Sequence, residues 1–148
     1  MARRPALASA SPGWRLGTAE FGALGEELAA RFLRARRFRL IGRNLSSDEA
    51  ELDIVALDGD ALVVIEVKSG WWPSTPSGPR GHRRPGERVS EKALARRSHA
   101  ARRLARKQGK ATSRVDVLEV VAGRGARAVL LHHRDFRIGT FATDSFSS

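Results

Sequence analysis

Three residues in the middle of the chain have the types and spacing to do chemistry: Asp53, Glu66 and Lys68, set in Glu51-Leu-Asp-Ile-Val-Ala-Leu57 and Ala61-Leu-Val-Val-Ile-Glu-Val-Lys68. Both segments are apolar, branched runs, and Asp58-Gly59-Asp60 between them is a strong hairpin signal. Side chains on a strand alternate between its faces, so a hairpin with a two-residue turn fixes which of them share a side. If the turn is Asp58-Gly59, Asp53 lies across from Val64; if it is Gly59-Asp60, Asp53 lies across from Glu66. Either way Asp53, Glu66 and Lys68 project from one face with Glu51, at the end away from the turn.

Carboxylates brought together in an apolar sheet repel and are costly to bury unless a cation compensates them. Magnesium or manganese suits the position, because such hard ions take oxygen ligands from one or two carboxylates and keep water elsewhere. Lys68 would reach a phosphate oxygen or the attacking water. These are the components of metal-assisted phosphodiester hydrolysis. A plain ion pair of Lys68 with Glu66 or Asp53 is the competing reading.

The elements that must position this cluster can be read around it. The other hairpin face, Leu52, Ile54, Ala56, Val63, Ile65 and Val67, is wholly apolar, and the turn-proximal part of the first face is apolar too. Strands apolar on both sides belong inside a covered sheet, which predicts an α/β fold with helices on both faces. Thr18 to about Arg37 has helical spacing in Phe21, Leu24, Leu28, Phe32 and Ala35, and Phe38 to Leu45 reads as a short strand. Ser90 to Gln108 predicts a second helix, with Ser90 as N-cap and Gly109 as stop. Its apolar stripe is thin (Leu94, Ala101, Leu104, Ala105), and Glu91 is its only acid among seven lysines and arginines. Val115 to Val121 and Ala128 to His132 read as closing strands.

At 148 residues the chain fits one domain, expected over 18–139 between a disordered N-terminal tail (1–17) and a frayed C-terminal tail (140–148). A mobile loop is expected at about 69–89, rich in Pro, Gly, Ser and Arg, either as an unstructured insertion or as an arm gripping a strand. In the second case Trp71 and Trp72 would stack on bases while Arg80, Arg83 and Arg84 meet phosphates. The formal charge of +11 favours a polyanionic partner, with Lys92, Arg96 and Arg103 of the second helix as further phosphate contacts. The absence of cysteine excludes disulfides, thiolate nucleophiles and cysteine-zinc sites. No apolar stretch is long enough to cross a bilayer, so the expectation is a soluble cytoplasmic protein without a membrane partner. The histidines receive no catalytic role, since His132 and His133 alternate across a strand.

The acid on one strand followed by Glu-x-Lys on the next resembles the PD-(D/E)xK nuclease signature. The wider pattern resembles the YraN family of uncharacterised bacterial endonuclease-like proteins. The resemblance rests on Gly22-Ala-Leu-Gly25-Glu26-Glu-Leu-Ala29, Phe32-Leu33, Arg43-Asn44, Glu51-Leu-Asp53-Ile-Val-Ala56, Ile65-Glu-Val-Lys68, Lys92, Arg114-Val-Asp116-Val and Asp135-Phe136. It implies a restriction-endonuclease-like three-layer sandwich, a central mixed sheet flanked by helices. It also implies that Glu26 is a helix-borne acid facing the same metal as Asp53 and Glu66. The expected activity is a Mg²⁺- or Mn²⁺-dependent endonuclease for branched or structured DNA, with RNA a less favoured substrate and a homodimer possible in junction cleavage. The alternatives are a nucleic-acid-binding protein without catalysis and a subunit of a larger DNA-processing complex.

Overall fold

A computed structural model describes residues 18–71, 85–122 and 128–138. The chain runs α1 (Thr18–Ala35), β1 (Arg39–Ser46), β2 (Glu51–Asp58), β3 (Ala61–Trp71), a short 3₁₀ turn (Pro85–Arg88), α2 (Glu91–Lys107), β4 (Thr112–Ala122) and β5 (Ala128–His133). The five strands form one sheet in the order β1-β2-β3-β4-β5. All neighbouring pairs are antiparallel except β3 and β4, which run parallel over eleven residue pairs. A parallel pair needs a crossover, and the segment carrying α2 provides it.

The two helices cover opposite faces. Ala29, Ala30 and Leu33 of α1 pack on Ile54, Ala56, Val63, Ile65, Leu118 and Val120. On the other face Ala100, Ala101 and Ala105 of α2 pack on Val55, Leu62, Val64 and Val115. The architecture is the expected α/β three-layer sandwich. The contact stripe of α2 is almost all alanine, so this basic helix lies close to the sheet.

Both helices end alike. Phe38 N–H donates to the Leu33 carbonyl and Arg37 N–H to that of Arg34, while Lys110 and Gly109 repeat the pattern on Ala105 and Arg106. This closure needs a left-handed residue just past the helix, usually glycine. Gly109 fills it at φ 61°, but at the end of α1 the residue is Arg37 at φ 67°. A residue with a Cβ there costs about 1 kcal/mol or more.

Three expectations are revised. β3 continues to Trp71, because Ser69, Gly70 and Trp71 stay paired with Val120, Val121 and Ala122 after β2 has left the ladder. The region read as a loop from about 69 to 89 therefore begins as strand and ends in the 3₁₀ turn, where Pro85 and Gly86 are buried. Residues 72–84 of that region, with Trp72, Arg80, Arg83 and Arg84, lie outside the described residues, as do the expected tails at 1–17 and 140–148. Leu52, placed by alternation on one face with Ile54 and Ile65, packs instead with Val55 and Val64 beneath α2, at a point where β2 is no longer held by β3.

Candidate active site

The hairpin turn is Gly59-Asp60, since Asp58 pairs with Ala61, and Gly59 supplies the positive φ of 58°. Of the two registers open in the sequence, this one places Asp53 opposite Glu66. The regular β2–β3 pairing ends at Ile54 and Ile65. One step further the Asp53 carboxylate accepts a hydrogen bond from Val67 N–H at 2.8 Å. A side-chain oxygen thus stands where a strand carbonyl would continue the sheet, and Asp53 is held in the fork between the strands.

Glu66 is nearly fully buried, at 4 % exposure, on the α2 side of the same fork. Lys68 Nζ lies 2.9 Å from its Oε1, and the Arg97 guanidinium of α2 contacts its Oε2. The Arg97 contact lacks hydrogen-bond geometry: Glu66 Oε2 and Arg97 Nε both remain without a hydrogen bond. The pair is therefore a close electrostatic contact between desolvated groups.

Asp53 registers the charge of the site. Burial, the neighbouring Glu66 charge and, more weakly, the Glu26 charge push its pKa up to about 6, against the opposing effects of Val67 N–H and Arg97. Two carboxylates competing to stay ionised at one sheet end is the electrostatic condition in which a divalent cation is favoured.

Glu26 belongs to α1, on the other face, and its charge is felt by Asp53 through the fork. It has no ion-pair or hydrogen-bond partner among the described residues, whereas the adjacent Glu27 is taken by Arg31 and Arg43. Gly25 brings α1 this close, since a Cβ there would collide with the Ser69 side chain. Gly22, nearly one turn earlier, has open space around it. Among the described residues no three His, Asp or Glu side chains converge tightly enough to cage a metal ion. The structure thus joins Asp53, Glu66 and Lys68, with Glu26 acting on them as a nearby charge.

The basic helix divides its cations. Lys92 and Arg96 are exposed, while Arg103 is engaged by Glu49 at 2.7 Å, with His99 on the same carboxylate. Trp71 enters through its backbone, paired with Ala122. Sequence reasoning missed Arg97, one of seven similar cations until the helix azimuth is known. It also passed over the fully buried Glu119, paired with Lys68 in the strand register. The Glu119 carboxylate accepts from Gly86 N–H and faces His133 Nε2, each at 2.8 Å. Asp116, equally buried, is bound by Arg114, His132 and Asp135 N–H, which hold its pKa down although burial alone would raise it. His132 and His133 therefore serve two buried acids on opposite faces.

The fold and the forked carboxylates define a class: a three-layer α/β/α protein with an acid-acid-lysine cluster at the rim of its central sheet. Within that class the chain belongs to the uncharacterised protein family UPF0102, whose family model matches residues 25–120. It is similar to a UPF0102 protein of Beutenbergia cavernae, 41% identical over 115 residues, which cover 76% of this chain and 92% of that protein. A Renibacterium salmoninarum relative is 38% identical over 117 residues, covering 78% and 93%, and one from Rhodococcus jostii is 36% identical over 116 residues, covering 77% and 92%. Among the described residues no helix is long and apolar enough to cross a membrane.

Proposed function

We propose that the protein is a metal-dependent nuclease hydrolysing DNA phosphodiester bonds, preferentially in branched or structured DNA. The observation that carries the reading is the convergence of Asp53, Glu66 and Lys68 where β2 parts from β3, with Glu66 buried between Lys68 and Arg97 and Asp53 pushed up to about 6. This donor set fits Mg²⁺ or Mn²⁺: Asp53 and Glu66 would hold the ion and Glu26 would add negative charge from α1. Such an ion would supply Lewis acidity to the attacking water and charge for the phosphate. Lys68 orients the water or a phosphate oxygen. Arg97, released from Glu66, moves onto the phosphate, where a guanidinium can bind in a forked manner. Lys92 and Arg96 on the exposed face of α2 grip the backbone.

One observation favours a second reading, nucleic-acid binding without catalysis: Lys68 and Arg97 already neutralise Glu66 without any metal. Cleavage of single-stranded, duplex, flap and four-way-junction DNA, with and without Mg²⁺ or Mn²⁺, separates the two. The nuclease reading expects metal-dependent nicking that Asp53→Asn and Lys68→Ala abolish while DNA binding is retained. Cleavage untouched by both substitutions would refute these roles. DNA binding without cleavage of any substrate, together with no calorimetric signal for Mn²⁺, would select the binding protein.

A further inference from the structure

At the opposite end of the sheet the last turn of α1 and the turn after β5 enclose an open cavity of about 650 Å³. Asp58, on its wall, lies five residues along β2 from Asp53, roughly 17 Å away at about 3.3 Å per residue. Arg36, Arg37, His132 and Arg134 also line the cavity, and Phe32 and Phe38 supply apolar wall. Its acids are already matched. Asp58 is bound by Arg114 at 2.8 Å and Arg134 at 2.7 Å, and Asp116 beneath it by Arg114 and His132. Arg36 and Arg37 remain without a carboxylate partner among the described residues. The Arg36 guanidinium lies 3.6 Å over the Phe32 ring, which holds it at the cavity wall.

Arg37 adds a separate observation. It occupies the left-handed position that closes α1, the role glycine plays at the end of α2. An arginine held in that conformation presents its side chain at the rim of the cavity at a backbone cost that glycine would avoid.

We propose that this cavity binds the terminal phosphate of a nucleotide, a phosphate monoester, as a site separate from Asp53 and Glu66. A monoester carries close to two negative charges at neutral pH, matching two guanidinium groups that have no carboxylate partner among the described residues, whereas a backbone diester carries one. The volume exceeds what a phosphate ion needs, and the Phe32, Phe38 and Leu130 walls take the attached sugar and base. The same chemistry is offered by a phosphorylated strand end and by a free nucleotide.

The test is made on the full chain in EDTA, so that it does not depend on cleavage or on a divalent ion. Fluorescence anisotropy compares one single-stranded oligonucleotide carrying a 5′-phosphate, a 3′-phosphate or hydroxyls at both ends. At least one phosphorylated form is expected to bind about tenfold more tightly than the hydroxyl form. Arg37→Gly, which keeps the helix closure and removes the guanidinium, erases that difference, and Arg36→Gln reduces it. Competition by thymidine 5′-monophosphate as effective as that by the phosphorylated strand assigns the site to free nucleotides; competition by the strand alone assigns it to strand ends. Equal affinities for all three oligonucleotides, or a phosphate preference that survives Arg37→Gly, would overturn the proposal and leave the arginines only as complements to the α1 carbonyls.

Discussion

Asp53 keeps its proton longer than an ordinary aspartate, and that gives the protein a specific pH dependence. With its pKa near 6 in the fold against the usual 3.8, the native state binds more protons than the unfolded chain between those values. Its contribution is therefore complete below about pH 3.8 and is lost as pH rises through 6. Asp53→Asn keeps an oxygen for Val67 N–H and removes the charge. In EDTA it is expected to raise unfolding stability on the order of 2 kcal/mol at pH 7.5 and to change little near pH 4. Equal urea midpoints for the two proteins at both pH values would show that Asp53 carries no such strain. Arg97 makes the complementary case. Arg97→Met leaves Glu66 short of a cation, so stability at neutral pH falls by about 3 kcal/mol, while Mn²⁺ measured by calorimetry binds roughly tenfold more tightly because its competitor is gone. Weaker Mn²⁺ binding would instead make Arg97 a support of the site.

At the level of elements, α1 is seated against β3 by an absence of side chain. Glycine in a helix interior normally costs about 1 kcal/mol relative to alanine, so Gly25→Ala would stabilise an isolated helix. Here the new Cβ meets the Ser69 side chain, with Ser69 Cβ at 3.0 Å, and the sign reverses. Thermal unfolding is expected to show a loss of about 1–3 kcal/mol, largely restored by adding Ser69→Gly. Persistence of the loss in the double variant would place the strain elsewhere. The hairpin and its acids were legible because alternation and a two-residue turn leave only two registers, both with Asp53, Glu66 and Lys68 on one face. Arg97 was not, because helical spacing gives a stripe but not its azimuth over a sheet. The acids of β4 were illegible for a related reason: Asp116 and Glu119 meet His132 and His133 only through the β4–β5 register, which no short-range signal in the chain specifies. Leu52 shows the limit of alternation itself, which holds while a ladder holds and fails where β2 parts from β3.

The whole molecule carries +11 of formal charge, and its polyanion binding should be governed by counterion release. For a junction DNA held in EDTA, log affinity should fall linearly with log salt. Substituting both Lys92 and Arg96 by glutamine should shallow that slope by about 2. A slope unaffected by the pair would move the backbone contact to another surface.

Another consequence follows from Glu119, whose carboxylate fastens Gly86 to β4 as β3, on the neighbouring strand, ends at Trp71. The two ends of the intervening segment are thereby anchored by the sheet, and closing a longer segment between fixed ends adds only about 0.6 kcal/mol per doubling. The length and sequence of the segment joining Trp71 to Pro85 can accordingly change at little cost to the β3–β4 pairing that holds its two ends.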